Sequence, residues 1–153
     1  MRKALWLLVL ALATGLIAAG CGDDDDDGGD EGGEALTEQE FITQADQICS
    51  DGDAEIEAEE QQFFGQGEPT QAEIERYATD VFVPGVQSQI DGIRGLEPPE
   101  EIEGEVTEFL DTAQTALDGV EEDPSAFGDQ QGEDPFAEAT QMASDLGLRV
   151  CAQ

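Results

Sequence analysis

The sequence contains no histidine, and its single lysine is Lys3, close to the N-terminus. From residue 21 onward, 38 acidic residues face only three basic ones, Arg76, Arg94 and Arg149, which is a formal charge of −35. Histidine triads, imidazole zinc sites and lysine Schiff bases therefore cannot be assembled in that part of the chain. The missing basic surface also excludes binding to nucleic acid and charge-driven binding to anionic lipids.

Long hydrophobic runs are scarce too, and the one present lies at the N-terminus. Arg2 and Lys3 precede an apolar stretch from Ala4 to Ala19, and a small residue and then Cys21 follow it. A basic start, an apolar middle and small residues before a cleavage point are typical of a secretory signal peptide. We therefore expect residues 1–20 to be a signal peptide, with the rest of the chain outside the cytoplasm.

The end of this leader, Ala18-Ala19-Gly20-Cys21, resembles the lipobox of bacterial lipoproteins. The resemblance implies cleavage before Cys21 and attachment of a diacylglycerol, with palmitate as an acyl chain, to the Cys21 thiol. The protein would then be anchored by lipid at the extracytoplasmic face of the cell membrane. Two alternatives stay open. One is an uncleaved transmembrane anchor, although the apolar run is shorter than the ~20 residues that span a bilayer. The other is cleavage without lipidation.

Residues 21–35 are rich in Asp, Glu and Gly and have almost no apolar side chains. Such a segment cannot bury surface and repels itself, so we expect a disordered acidic tether that holds the domain off the membrane. The residues that fit the spacing of a calcium-binding loop are Asp23, Asp25, Asp27, Gly28 and Glu34. The position that needs an apolar residue is Asp30, and no helix precedes the loop. We therefore expect no metal site and no cofactor.

Residues 36–153 show the apolar periodicity of helices rather than that of strands. Capping boxes at Thr37–Glu40 and Thr70–Glu73 predict the starts of two helices. Pro98-Pro99 predicts the start of a third, and Asp134-Pro135 that of a fourth, each with proline at the first helical position. Gly147 is suited to a left-handed conformation after the fourth helix.

Pro84 lies inside the second predicted helix, where it removes a backbone hydrogen bond and predicts a kink. Four amphipathic segments with short connections favour a helical bundle. The expected fold class is thus all-α: a four-helix up-down bundle over residues 36–153, with its second helix kinked at Pro84.

With Cys21 assigned to lipid, Cys49 and Cys151 remain as a pair in an oxidising compartment, which predicts a disulfide. The bond would close a loop of ~100 residues, and loop entropy alone suggests ~4–5 kcal/mol of stabilisation. A redox-active or metal-binding pair is the alternative. The acidic surroundings of both residues do not favour it, since a reactive thiol needs electropositive neighbours.

Three motifs of the domain resemble a group of small helical lipoproteins of actinobacteria whose activity is uncharacterised. The motifs are Phe41-x-x-x-Ala45-Asp46-x-Ile48-Cys49, Leu96-x-Pro98-Pro99 and Leu146-Gly147-Leu148-x-x-Cys151. The resemblance implies a fold and a location, and no reaction.

The sequence therefore favours a lipid-anchored extracytoplasmic domain with a non-enzymatic binding or spacing role in the cell envelope. One alternative is an acidic binding module for cations or for a basic ligand such as a basic protein. Another is an enzyme that uses paired carboxylates, which needs one carboxyl in a dry cleft. Asp46 and Glu60 interrupt an apolar stripe and are the nearest candidates, but we expect both to be exposed.

Overall fold

The structure is a computed structural model that describes residues 36–64, 68–127 and 134–153. These residues form helices and turns and include no strand, so the all-α class is confirmed for them. The helices are α1 (Glu38–Phe63), α2 (Gln71–Tyr77), α3 (Val83–Arg94), α4 (Glu103–Glu122) and α5 (Ala137–Asp145), with a π turn at Ala78–Phe82 and a 3₁₀ turn at Pro124–Ala126.

Both predicted capping boxes are present. The Glu40 backbone N–H donates to Thr37 Oγ1 (3.3 Å), and the Thr37 backbone N–H donates to Glu40 Oε2 (3.0 Å). Thr70 and Glu73 repeat this exchange at the start of α2. The hydrogen bonds from Thr37 and Thr70 favour the charged carboxylates, so they hold the pKa of Glu40 and of Glu73 below the usual value.

The second predicted helix is a continuous helical segment from Gln71 to Arg94 with a π turn inside it. In that turn the Val83 backbone N–H donates to the carbonyl of Ala78. Pro84 follows directly, in the first turn of α3. A π turn is wider than an α turn. It therefore alters the backbone hydrogen-bond pattern of the helix at the place where the proline ring and its missing N–H would disturb regular α-helical hydrogen bonds.

Two predicted helix starts lie too early. Pro99 is not the first residue of a helix: its carbonyl accepts from the Ile102 and Glu103 N–H groups in a turn, and α4 begins at Glu103. Asp134 is likewise not the N-cap of α5: it lies three residues before the helix begins at Ala137, and its side chain accepts from the Phe136 N–H (2.9 Å). In both cases the proline belongs to a tight turn that leads into the helix.

The end of α5 is as predicted. Gly147 has a φ of 85°, which is favourable for glycine and strained for other residues. The Leu148 N–H donates to the Ala143 carbonyl (2.9 Å) and the Gly147 N–H to the Ser144 carbonyl (3.1 Å). This is a Schellman motif, and it turns the fully buried Leu148 back into the core.

The core is formed where α1, α3, α4 and α5 pack together. Helix α1 packs against α3, α3 against α4, and α4 against α5. The largest fully buried side chains are Phe41, Leu117 and Leu148. The contact between α1 and α3 is close, since a Cβ added at Gly85 would lie 2.5 Å from Ile56 Cγ1 and one at Gly92 would lie 3.1 Å from Ile48 Cγ2.

Candidate functional site

The predicted disulfide between Cys49 and Cys151 is present, with the two Cα atoms 5.3 Å apart. Cys49 lies on the buried side of α1, and Cys151 lies in the turn that follows Leu148. The bond therefore holds the C-terminal turn against the first helix.

Asp46 supports the same turn from the other side. Its carboxylate accepts hydrogen bonds from the backbone N–H groups of Arg149 (3.2 Å), Val150 (2.9 Å) and Cys151 (3.4 Å). The expectation that Asp46 is exposed was wrong: the residue is half-buried. A carboxylate engaged by backbone N–H donors has a structural role here, because its oxygens are used to fix the chain.

Beside the disulfide is a cleft of about 440 Å³ between α1, α3, α4 and α5. Its apolar lining includes Ile90 and Ile93 of α3, and Phe109 and Ala113 of α4. The C-terminal turn contributes Val150, Cys151 and Gln153. The volume and the mainly apolar lining are those of a small-molecule site.

Carboxylates line the opening of this cleft. Asp53, Glu57 and Glu60 are spaced so that one face of α1 carries all three, and Asp134 contributes a fourth from the segment before α5. All four residues are exposed. We call these four the acidic rim. No arginine is found among the described residues that line the cleft.

Two members of the rim are held by hydrogen bonds from neighbouring side chains. Gln89 Nε2 donates to Asp53 Oδ1 (3.1 Å), and the Tyr77 hydroxyl donates to Glu60 Oε2 over a longer 3.5 Å. Burial raises the pKa of Tyr77 to about 12, and the negative charge of Glu60 adds to the effect. Tyr77 therefore stays protonated near neutral pH and remains a donor to Glu60.

Aromatic rings form one wall of the cleft. Phe82 and Phe136 both line it, with ring centroids 5.9 Å apart and an interplanar angle of 73°. The contacts continue outside the cleft from Phe82 to Phe127 (4.7 Å) and from Phe127 to Tyr77 (6.1 Å). An edge-to-face pair such as Phe82 and Phe136 is a favoured arrangement that stiffens this wall.

Among the residues that were proposed from sequence and that the structure describes, Glu60, Cys49 and Cys151 line the cleft and Asp46 does not. The sequence reasoning missed Asp53 and Glu57. Their spacing from Glu60 was readable as one helical face, but acidic residues surround α1 on most sides and hide that signal.

The signal peptide of residues 1–20, the lipidation site Cys21, the tether of residues 21–35 and the calcium-loop spacing lie outside the described residues. Within residues 36–64, 68–127 and 134–153, no group of three or more Cys, Asp or Glu side chains is arranged to hold a metal ion. In the same ranges no helix combines the length and apolar character that crossing a membrane requires.

Comparison with known proteins gives no further guide to the role of the cleft. No protein-family model matches the chain, and neither the curated proteins nor the solved structures include a significant match.

Proposed function

We propose that this protein is a lipid-anchored, extracytoplasmic helical domain that binds a small apolar ligand at the cell envelope without transforming it. The observation that carries the binding role is the cleft, which combines a mainly apolar lining with a few polar side chains, including four exposed carboxylates. Because of its acidic rim, the protein would be an acidic binding module whose ligand is a small molecule.

The geometry of the rim favours binding over catalysis. A carboxylate pair that acts as acid and base needs one carboxyl in a dry environment that keeps it protonated. Asp53, Glu57 and Glu60 are exposed, and Asp46 is engaged by three backbone N–H groups. The described residues therefore offer charge at the opening and no carboxyl in a dry interior, which supports a non-enzymatic role.

A neutral fluorescent dye such as Nile red tests the binding role. The secreted Cys21→Ser chain should bind the dye, with increased emission. Val86→Trp should reduce the affinity about tenfold or more, because Val86 lines the cleft and a larger side chain would fill it. Ser88→Trp is the matched control, since Ser88 lies on the same helix and is exposed. Equal binding by both variants would mean that the dye binds elsewhere.

The membrane location is proposed from the leader and Cys21. Intact-mass analysis of the protein from its native membrane should show a diacylglycerol adduct on a chain that begins at Cys21. After removal of the leader, Cys21→Ser should be released into the soluble fraction. A Cys21→Ser chain that stays equally membrane-bound would contradict lipid anchoring. The proposal assigns no nucleic-acid partner, because the basic residues needed for one are missing.

We further propose that the helices form a four-helix up-down bundle in which the segment 71–94 bends at Pro84. The packing of α1 on α3, α3 on α4 and α4 on α5 supports this topology. The π turn directly before Pro84 supports the bend, since π turns and prolines are common causes of helix kinks. Residual dipolar couplings measured for α2 and α3 would give the angle between them; parallel axes would contradict the kink.

A further inference from the structure

We infer that the ligand of the cleft is an amphiphilic organic cation: a molecule with an apolar body and an ammonium group. This inference rests on the proposed binding function and specifies its ligand class. The apolar body would occupy the interior beside Ile90 and Phe109, and the ammonium group would lie at the acidic rim. A cleft of about 440 Å³ suits a single small molecule.

The charge at the opening of the cleft favours a cationic ligand. Four carboxylates line the opening, and the described arginines contact acidic partners elsewhere or lie outside the cleft. Arg94 contacts Asp111 (3.1 Å), and Arg76 contacts Asp80 (3.7 Å) while lying over the ring of Phe63. Arg149 lines a separate groove together with Asp46 and Gly147. The negative charge at the rim is therefore left for a ligand to neutralise.

The aromatic wall of the cleft also favours a cation. The face of a phenylalanine ring attracts a cation, and an ammonium group is recognised in proteins by rings combined with carboxylates. Phe82 and Phe136 are half-buried and line the same cleft as Asp53 and Glu57. An anionic ligand would be attracted neither by the carboxylates nor by the ring faces. A neutral ligand would be stabilised by the apolar interior only.

Two other occupants fit less well. The acidic tether of residues 21–35 carries the same charge sign as the rim and would be repelled from it. A second copy of the chain would bring a strongly acidic surface to the opening, with the same consequence. The charge pattern therefore favours a small cation from outside the chain.

The test uses three amphiphiles with a ten-carbon chain (in decanoate the tenth carbon is the carboxylate), each below its micelle concentration: decyltrimethylammonium, decyl maltoside and decanoate. Binding to the secreted Cys21→Ser chain is measured by calorimetry and by displacement of Nile red. We expect decyltrimethylammonium to bind about tenfold tighter than either of the others. Added NaCl should narrow this difference, because it screens the exposed carboxylates.

Matched variants separate the rim from the overall charge. The rim variant is Asp53→Asn/Glu57→Gln/Glu60→Gln, and the control variant is Asp51→Asn/Glu55→Gln/Glu59→Gln. The control residues are exposed on the same helix, lie outside the cleft, and remove the same charge. Circular dichroism verifies that both variants fold. The rim variant should lose about tenfold in affinity for the cation and little for decyl maltoside, whereas the control variant should keep most of its affinity for both.

The outcomes distinguish the two proposals. Equal losses in the rim and control variants, or equal affinity for all three amphiphiles, would overturn the assignment of a cationic ligand. If the dye and decyl maltoside still bind in that case, and Val86→Trp still weakens their binding about tenfold or more, the cleft remains a binding site for an apolar ligand. Absence of binding by every probe would overturn the proposed function itself.

Discussion

Replacing Asp46 with asparagine should destabilise the protein by about 1.5–3 kcal/mol, the range for hydrogen bonds to a charged group. In the folded state its two carboxylate oxygens accept from three consecutive backbone N–H groups, those of Arg149, Val150 and Cys151. Asparagine has the same shape but keeps one acceptor oxygen. Its amide NH₂ would then face a backbone N–H donor, and that N–H would lose its partner.

The loss is measured by urea unfolding followed by circular dichroism, with Asp51→Asn as the matched control. Asp51 lies on the same helix, is exposed, and among the described side chains accepts a hydrogen bond only from Gln47, so its replacement should cost less than about 0.5 kcal/mol. If Asp46→Asn lowers the free energy of unfolding no more than Asp51→Asn does, the three hydrogen bonds do not stabilise the C-terminal turn, which would refute the prediction.

A double-mutant cycle with the disulfide measures whether the two supports of the C-terminal turn depend on each other. Cys49→Ala/Cys151→Ala removes a link across 102 positions of sequence, which should cost about 4–5 kcal/mol by loop entropy. Without the link the C-terminal turn can separate locally from α1, so the cost of Asp46→Asn is limited by the free energy of that opening. The cost should therefore be smaller in the unbridged protein than in the bridged one. Equal costs would show that the two supports of the turn act independently.

Three other predictions concern helix packing, pH and salt. Gly85→Ala should cost about 1–3 kcal/mol in urea unfolding, because its Cβ would lie 2.5 Å from Ile56 Cγ1. A Cβ added at Gly119 would meet no atom of the described residues within 4 Å, so Gly119→Ala should gain about 0.5–1 kcal/mol; stabilisation by both changes would contradict the close packing. The lowered pKa of Glu40 and Glu73 means that their caps stabilise fully above the ordinary value of 4.5 and lose that effect as pH falls through the folded-state pKa. Glu40→Gln/Glu73→Gln should therefore show a shallower fall of melting temperature below pH 4.5 than the parent, and unchanged slopes would refute this. Melting temperature at neutral pH should rise with NaCl, because salt screens repulsion in a chain of net charge −33, and a flat response would refute that account.

The sequence predicted best the features that depend on a few neighbouring residues. Thr37 and Thr70 form their capping boxes, and Gly147 adopts the left-handed conformation, because each is determined by local backbone sterics and hydrogen bonding. The pairing of Cys49 with Cys151 was predictable for a different reason, since only one partner remained for each once Cys21 was set aside. The errors at Pro99 and Asp134 are also local: a proline after a turn-forming residue suits a tight turn as well as a helix start.

The features that bear on function come from long-range packing, and the sequence did not predict them. Gly85 reads as a weak point in a helix, whereas in the fold it lets α3 approach Ile56 of α1. The sequence marks Asp46 only as an interruption of an apolar stripe, whereas its hydrogen-bond partners lie 103–105 positions away in sequence. Neither relation leaves a periodic signal, because each depends on how helix faces meet.

Because carboxylates are abundant in this chain, those that line the cleft cannot be recognised from the sequence. In sequence, Asp53 and Glu57 are indistinguishable from the other acidic residues of α1. In the fold they lie at the opening of an apolar space whose wall also contains Cys151 and Val150. The turn that carries these two residues is held against α1 by the disulfide and by Asp46. These long-range contacts therefore fix one wall of the cleft. A change that loosens the turn should therefore weaken binding of an apolar probe as well as stability, although Asp46 does not itself line the cleft.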